Sequence, residues 1–368
     1  MGIEVIIYCY GAVCVGMLVF NSIYNFYLKR SSSKLEAKSR KIGRKMEEQI
    51  NRVRKGDPVE EKHLEYLERK LCQVNNLIAF DRALAQFLQR EMDTAETAYL
   101  DQIQVVILHL SVVYLKKENM QAAYFAFFIA KYRQKRQMQM DSLQRVLLDY
   151  MKKDSLYCRV NALQALYAFG SVENIVEAIR LQDEQDVFFH EKILTEGLLS
   201  FQGSHRQLIE LLWAQFDTFS EKTQLPILNY IRFRTGDYCQ QMYEIMQDEA
   251  RDKELRFAAI RYFGKYPYLP AQAPLLAFTA DKDPLHWEYA AISAASLAHY
   301  PGTEVIETLK EALHSANWYV RYNAAVSLDA HHLDYSSLMD IVNENDRYAR
   351  EMMMYRLDSR RLQEAERG

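Results

Sequence analysis

A signature that returns about every 32 residues constrains this chain more than any other feature. Its clearest copy is Asn317-Trp318-Tyr319-Val320-Arg321-Tyr322-Asn323-Ala324-Ala325-Val326-Ser327-Leu328. Asn317 suits an N-cap, because its side-chain oxygen can accept from a backbone N–H of the first turn. Val320, Ala324 and Leu328 fall at i, i+4 and i+8, on one buried helix face. Small Ala324 and Ala325 allow a neighbouring helix to come close. With Arg321 as the reference, the equivalent positions are Arg159, Lys192, Gln224, Arg256, Glu288 and Arg350. The steps between them are 33, 32, 32, 32, 33 and 29 residues.

Each unit is also interrupted near its middle. Gly170, Gly203 and Gly236 are spaced 33 apart and suit turn positions that need φ > 0. Pro267, Pro270 and Pro274 break the fourth unit, and Pro301-Gly302 the fifth. A second apolar helix follows each break, as at Val172–Leu181, Gln207–Phe216 and Val305–Leu313. The unit is therefore helix, short turn, helix. Only 12 Gly and 7 Pro in 368 residues suit an α-helical protein with short turns. No window alternates apolar and polar residues in the manner of a half-buried strand.

An acidic or amide residue precedes several basic reference positions: Asp154 before Arg159, Asp252 before Arg256, Asn317 before Arg321 and Asp346 before Arg350. With Arg159-Val160-Asn161-Ala162-Leu163 and Leu255-Arg256-Phe257-Ala258-Ala259, this resembles the HEAT-repeat family. The similarity is to the short bacterial form, with its Asp-x-x-Val-Arg-x-x-Ala-Ala-x-Ala-Leu signature. It covers residues 154–357. It is strongest at Asn317–Leu328 and Asp252–Phe263, and weakest at Lys222–Ile231, where Pro226 interrupts. The resemblance implies an all-α fold, a right-handed α-solenoid of helical hairpins. It also implies a structural role for the Asp/Asn and Arg residues, as a ladder between repeats.

The N-terminal segment is of another kind. Val5–Phe20 carries no charge, and the apolar character continues through Leu28. A 24-residue helix over Val5–Leu28 spans about 36 Å, enough to cross a hydrocarbon core of about 30 Å with some tilt. Tyr8 and Tyr10 at one end, and Tyr24 and Tyr27 at the other, suit the two interfaces. A cleavable signal peptide is disfavoured, since Met1-Gly2-Ile3-Glu4 offers no basic region and no Ala-x-Ala site follows. Myristoylation would want Ser or Thr where Ile6 stands. Ala12 and Gly16 form a small-xxx-small pair, a minor route to packing of two anchors.

Charge sets the expected orientation. Lys29–Asp57 holds eleven Lys or Arg against four Asp or Glu, a net of +7, and nothing basic precedes it. The positive-inside rule then places the N-terminus outside and residues 29–368 in the cytoplasm, as a single-pass protein of the cell membrane. Residues 29–57 read as a basic juxtamembrane connector, with Lys29–Lys55 in reach of anionic lipid. Gly56-Asp57-Pro58 breaks the chain. Pro58 is expected to begin a helix with Glu60 and Glu61 in its first turn.

Residues 58–153 read as a less regular helical region, degenerate repeats or a cap. Its apolar runs Val105–Leu115 and Ala122–Ala130 are too short to span a bilayer and read as buried helices; a second membrane hairpin is the less favoured alternative. His109 within the first run is expected to be a satisfied core histidine. Residues 154–368 carry the repeats and a C-terminal capping helix.

Function classes narrow accordingly. With the whole chain at −3, residues 29–57 at +7 and residues 1–28 at −1, residues 58–368 carry about −9. That argues against a nucleic-acid groove, which needs clustered cations. Lys131-Tyr132-Arg133-Gln134-Lys135-Arg136 is a single short patch, best read as a solvated helix end. Five scattered cysteines, Cys9, Cys14, Cys72, Cys158 and Cys239, form neither a CxxC pair nor a disulfide framework. No GxxxxGK[ST], GxGxxG or HExxH occurs.

Deoxyhypusine hydroxylases, an enzymatic HEAT-type family, bind two irons through His-Glu pairs at matched repeat positions. Here only His190-Glu191 is a strict pair. His286-Trp287-Glu288 imitates one, while Tyr157, Lys222 and Tyr319 occupy other equivalents, so no iron site is expected. His331-His332 lacks a third ligand. Trp213, Trp287, Trp318 and the 25 tyrosines read as packing residues or interface anchors. The expectation is a membrane-anchored scaffold or adaptor for a protein or peptide partner, with no catalysis, cofactor or metal. The alternative is a HEAT-like enzyme, such as one resembling bilin lyases.

Overall fold

The computed structural model describes every residue except 1, 89–91, 134–140, 186–187, 334–335, 344 and 368. Among the described residues the chain is all-helical, without strands. It divides into two compact units, Met1–Ala178 and Ile179–Gly368.

The first unit holds α1 (Ile3–Arg54), α2 (Glu61–Leu71), α3 (Val74–Leu88), α4 (Thr94–Gln102), α5 (Gln104–Leu115), α6 (Asn119–Arg133), α7 (Asp141–Met151) and α8 (Leu156–Phe169). The unit boundary falls inside α9 (Val172–Asp183). Here α1 packs on α3 and α4, α2 on α3 and α5, α5 on α7, and α6 on α8. Phe80, Phe125, Tyr114, Tyr150, Leu110 and Leu147 are fully buried at its centre. Two buried tyrosines tie the layers: Tyr114 donates to the Leu71 carbonyl at 2.7 Å and Tyr150 to the Ser111 carbonyl at 2.8 Å.

The second unit continues with α10 (Glu191–Leu199), α11 (His205–Ala214), α12 (Glu221–Arg234), α13 (Cys239–Gln247), α14 (Lys253–Phe263), α15 (Leu269–Ala280), α16 (Trp287–Ser296), α17 (Thr303–Ala312), α18 (Trp318–Ala330), α19 (Met339–Val342) and α20 (Arg347–Arg367). First helices stack in order, α10 on α12, then α14, α16, α18 and α20, and each second helix packs on the first helix of the next pair. Small side chains allow this stacking. Ala258, Ala259, Ala290, Ala291, Ala294, Ala324 and Ala325 are all buried where α14, α16 and α18 meet. Ser327 Oγ donates to the Ala294 carbonyl at 2.7 Å and Asn323 to the Ala291 carbonyl at 2.7 Å, which satisfies polar groups inside the stack.

Asn317 caps α18 as its sequence predicts, its side chain accepting from the Tyr319 amide at 2.8 Å. Asp252 and Asp346 do the same for α14 and α20. Asp154 does not; Ser155 is the cap of α8. The reference arginines Arg159, Arg256 and Arg321 reach back to carbonyls that precede their own helices. Arg159, 1% exposed, donates to Lys153 and Asp154 carbonyls, and Arg321 to those of Ser315 and Ala316. Arg256 donates to the Met246 carbonyl at 3.0 Å and also to a side chain of the next pair, the Tyr289 hydroxyl at 3.1 Å.

Several expectations are corrected. Gly170, Gly203 and Gly236 do not have positive φ. Close approach is what they satisfy: a Cβ on Gly170 would sit 2.6 Å from the Leu166 carbonyl oxygen, and on Gly203 and Gly236 it would strike the Phe201 and Tyr266 rings. Positive φ occurs instead at Gly302, the N-cap of α17. Pro226 lies inside α12 without ending it. Its missing N–H removes one bond near the helix start, and burial of Ile227, Leu228, Tyr230 and Ile231 outweighs that loss. The helix expected at Pro58 begins at Glu61. His109 is exposed on α5, beside exposed Val105 and Val112, because Val106, Leu110 and Tyr114 take the buried face.

Candidate functional site

The largest departure from the sequence reading is α1. It runs unbroken for 52 residues from Ile3 to Arg54, so the basic segment is helical as far as Arg54. Ser39, Ile42, Met46, Gln49 and Ile50 are buried against α3 and α4. Their spacing of three and four places them on one stripe. Gln49 Oε1 accepts from the Glu60 amide at 2.9 Å, Arg52 pairs with Glu60 at 3.0 Å and Arg54 with Asp93. Asp93 closes a capping box with Glu96 at the start of α4, and that amide bond, then Arg54, holds its carboxyl below the usual range. The base of α1 is thus locked to the first unit by apolar burial, a side-chain–backbone bond and two ion pairs.

Its other end is bare. From Tyr10 to Leu28 the large apolar side chains, among them Leu18, Phe20, Ile23 and Phe26, are exposed. Mean hydropathy reaches 1.4 there, and among the described residues α1 is the one single helix long and apolar enough to cross a membrane. The bent pair α4–α5 passes the same test only when both helices are taken together. An exposed apolar surface of this size marks contact with lipid or with another protein.

The second unit carries an aromatic cluster on the starts of α16, α18 and α20. Trp287 stacks on Tyr319 at 5.6 Å, Trp318 stacks on Tyr322 at 4.9 Å, and Trp318 meets Tyr319 edge-on at 5.1 Å. The Arg321 guanidinium lies 5.3 Å from the Tyr348 ring. Trp318 remains 49% exposed, Tyr319 56% and Tyr348 66%. A cavity of about 390 Å³ opens beside Trp287, lined also by Asp281, Asp283, Glu311, His314 and Asn317. Its polar groups are largely partnered: Lys282 with Glu311, His286 Nδ1 with Asp281, and His314 Nδ1 with Asp346.

Residues considered for chemistry do not converge. His190 caps α10 through Nδ1, His286 pairs with Asp281, and His331 lies 3.2 Å from the Leu297 carbonyl. Lys222 lies over the Phe188 ring, and Tyr157 is exposed. No group of three His, Cys, Asp or Glu is placed to hold a metal among the described residues. Burial pushes the Cys158 thiol up to about 11, away from the reactive thiolate. Trp213 stacks on Phe216 at 4.9 Å and meets Tyr238 edge-on. In the basic patch, Lys131 pairs with buried Asp81 at 2.8 Å and Tyr132 donates to the Asp81 carbonyl, while Gln134, Lys135 and Arg136 lie outside the described residues.

Sequence reasoning missed a set of tyrosines in the second unit. Tyr230 at the end of α12 meets His205 Nδ1 at the start of α11, at 2.6 Å. The Tyr262 hydroxyl accepts from the Tyr238 amide and that of Tyr300 from the Tyr268 amide, each at 3.0 Å. Tyr262 and Tyr300 each satisfy a backbone amide at the opening of the second helix of the preceding pair, while Tyr230 meets a side chain there. The 32-residue step from Tyr230 to Tyr262 was the available signal.

Comparison with known proteins adds no identity: no family model matches the chain, and no curated protein does.

Proposed function

We propose that this chain is a single-pass membrane protein whose helical body, a HEAT-type stack of helix pairs, serves as a scaffold or adaptor for a protein or peptide partner at the cytoplasmic face. The observation that carries the reading is α1, an apolar, exposed helix from Tyr10 to Leu28 that passes without a break into a segment packed inside the first unit. Orientation with the N-terminus outside rests on the eleven basic residues of Lys29–Asp57. Repeating stacked pairs in the second unit and the period of 32–33 residues support the HEAT-type reading. The Trp287–Trp318–Tyr319–Tyr348 cluster supports partner binding, since Trp and Tyr are the residue types enriched at interface centres.

Two measurements test this. Protease added to intact cells should leave the body uncut, and cutting from outside would overturn the topology. In-cell crosslinking with mass spectrometry should join the body to one recurrent partner, with a yield that falls when Trp318→Ala and Tyr319→Ala are introduced together. A crosslink pattern without a recurrent partner would overturn the adaptor role.

A further inference from the structure

The basic residues of α1 follow a pattern that its helical geometry makes explicit. Lys29, Arg30, Lys34, Lys38, Arg40, Lys41 and Arg44 are exposed, and Lys45 is half-buried. On a helix of 3.6 residues per turn most of them fall on the side away from Ser39, Ile42, Met46, Gln49 and Ile50, the residues buried against the first unit, while Lys38 and Lys45 border that buried stripe. A stripe of like charge therefore points outward along about 24 Å of helix.

The far end of the stripe already has contacts within the chain. Lys45 lies 3.8 Å above the Tyr66 ring, and Arg40 is 3.8 Å from Glu36. Among the described residues, Lys29, Arg30, Lys34, Lys38, Lys41 and Arg44 pair with no acidic side chain. The first four of these are the nearest to the apolar segment, which ends at Leu28. At 1.5 Å per residue they stand about 2 to 15 Å beyond Leu28, while Arg40 to Lys45 stand about 18 to 26 Å beyond it. The headgroup layer extends about 5–8 Å beyond the hydrocarbon edge, and surface potential at physiological ionic strength decays over about a further 8 Å, a reach of about 15 Å from Leu28.

We propose that Lys29, Arg30, Lys34 and Lys38 form a contact for an anionic bilayer surface, and that Arg40, Lys41, Arg44 and Lys45 are held clear of it. This inference rests on the membrane reading of α1 above. It adds a lipid partner and a limit. Because Ser39 and Ile42 are already packed into the body, α1 cannot fold down to lay the whole stripe on the headgroups without losing that packing. The contact is four residues deep, fixed by helical rise.

The test uses the full chain in phosphatidylcholine vesicles with and without phosphatidylserine. Selectivity for the anionic lipid is read from spin-labelled lipids at the protein boundary. Replacing Lys29, Arg30, Lys34 and Lys38 together by Gln should lower that selectivity at least about tenfold, since each headgroup contact is worth about fivefold and two of the four already exceed that. Replacing Arg40, Lys41 and Arg44 by Gln should leave it unchanged. Equal losses in both variants would overturn the limit and mean that the stripe lies along the surface. No loss in either would overturn the lipid contact.

An independent reading of depth uses single labels at Ser33→Cys, Ala37→Cys and Asn51→Cys in a chain whose five native cysteines are replaced. A headgroup-borne quencher should act most on residue 33, less on 37 and not on 51. Uniform quenching would overturn the proposal. Release of the unaltered chain by alkaline wash would remove the anchor reading itself, an outcome distinct from retention with altered selectivity.

Discussion

The Tyr300 hydroxyl accepts a hydrogen bond from the Tyr268 amide, 32 residues earlier, at 3.0 Å. Tyr300 is 2% exposed, and burial pushes its phenol up to about 12, so it stays a neutral hydroxyl. Tyr268 is the N-cap residue of α15, whose side chain supplies no capping bond, so the Tyr300 oxygen satisfies an amide at that helix opening. Replacing Tyr300 by Phe keeps the ring and strands the amide. The expected cost is about 1–3 kcal/mol, seen as a lower denaturation midpoint. An unchanged midpoint would mean that water takes the place of the hydroxyl.

Close stacking predicts the opposite kind of sensitivity at Ala324. Its side chain is 0% exposed between α16 and α18. Ala324→Leu should destabilise by about 1–3 kcal/mol through overpacking. The same change at exposed Ala37 should be nearly silent in thermal denaturation.

Met46 is the most deeply buried residue of α1, at 1% exposure. Met46→Ala should cost about 2–5 kcal/mol if the site collapses as core sites do. Met46→Asp buries a carboxylate and should detach the base of α1 from α3 and α4. Protease cleavage within residues 29–54 should then appear in detergent-solubilised protein. An identical cleavage pattern would show that the packing contributes little.

His63 gives the first unit an acid sensitivity. It is 6% exposed and lies 3.0 Å from the Tyr99 hydroxyl. Burial first, then the nearby charge of Lys45, lowers its pKa from 6.5 to about 4. Between those values the unfolded chain takes up a proton that the folded chain refuses, so this contribution is present above about pH 6.5 and is lost as pH falls towards 4. The loss should be on the order of 3 kcal/mol in chemical denaturation. His63→Gln should flatten that part of the profile.

The helix pairs and the apolar segment were legible because both rest on local patterns. Asn317 and the i, i+4, i+8 series Val320, Ala324, Leu328 are read from one stretch, and their cap and burial are as expected. The packing of α1 was hidden because its buried stripe contains two polar residues, Ser39 and Gln49, within a strongly basic stretch. Composition there reports the solvent face and masks the other. His109 misled for the converse reason, since apolar neighbours on both sides in sequence do not share its side of the helix. Gly170, Gly203 and Gly236 kept their period, but each makes room for something different: the Leu166 carbonyl and the Phe201 ring from the same stretch at the first two, and the Tyr266 ring of the next pair at Gly236.

An unbroken α1 also acts as an angular coordinate. In a flexible tether, one inserted residue lengthens the reach and nothing else. In this helix one residue inserted between Leu28 and Ser39 would raise the first unit by about 1.5 Å and swing it by about 100° around the helix axis. Seven residues would add about 10 Å and leave the bearing within about 20° of the original. The length of this segment therefore encodes which way the first unit faces as well as how far it stands from Leu28, and lengths that differ by one residue are not neighbours in function.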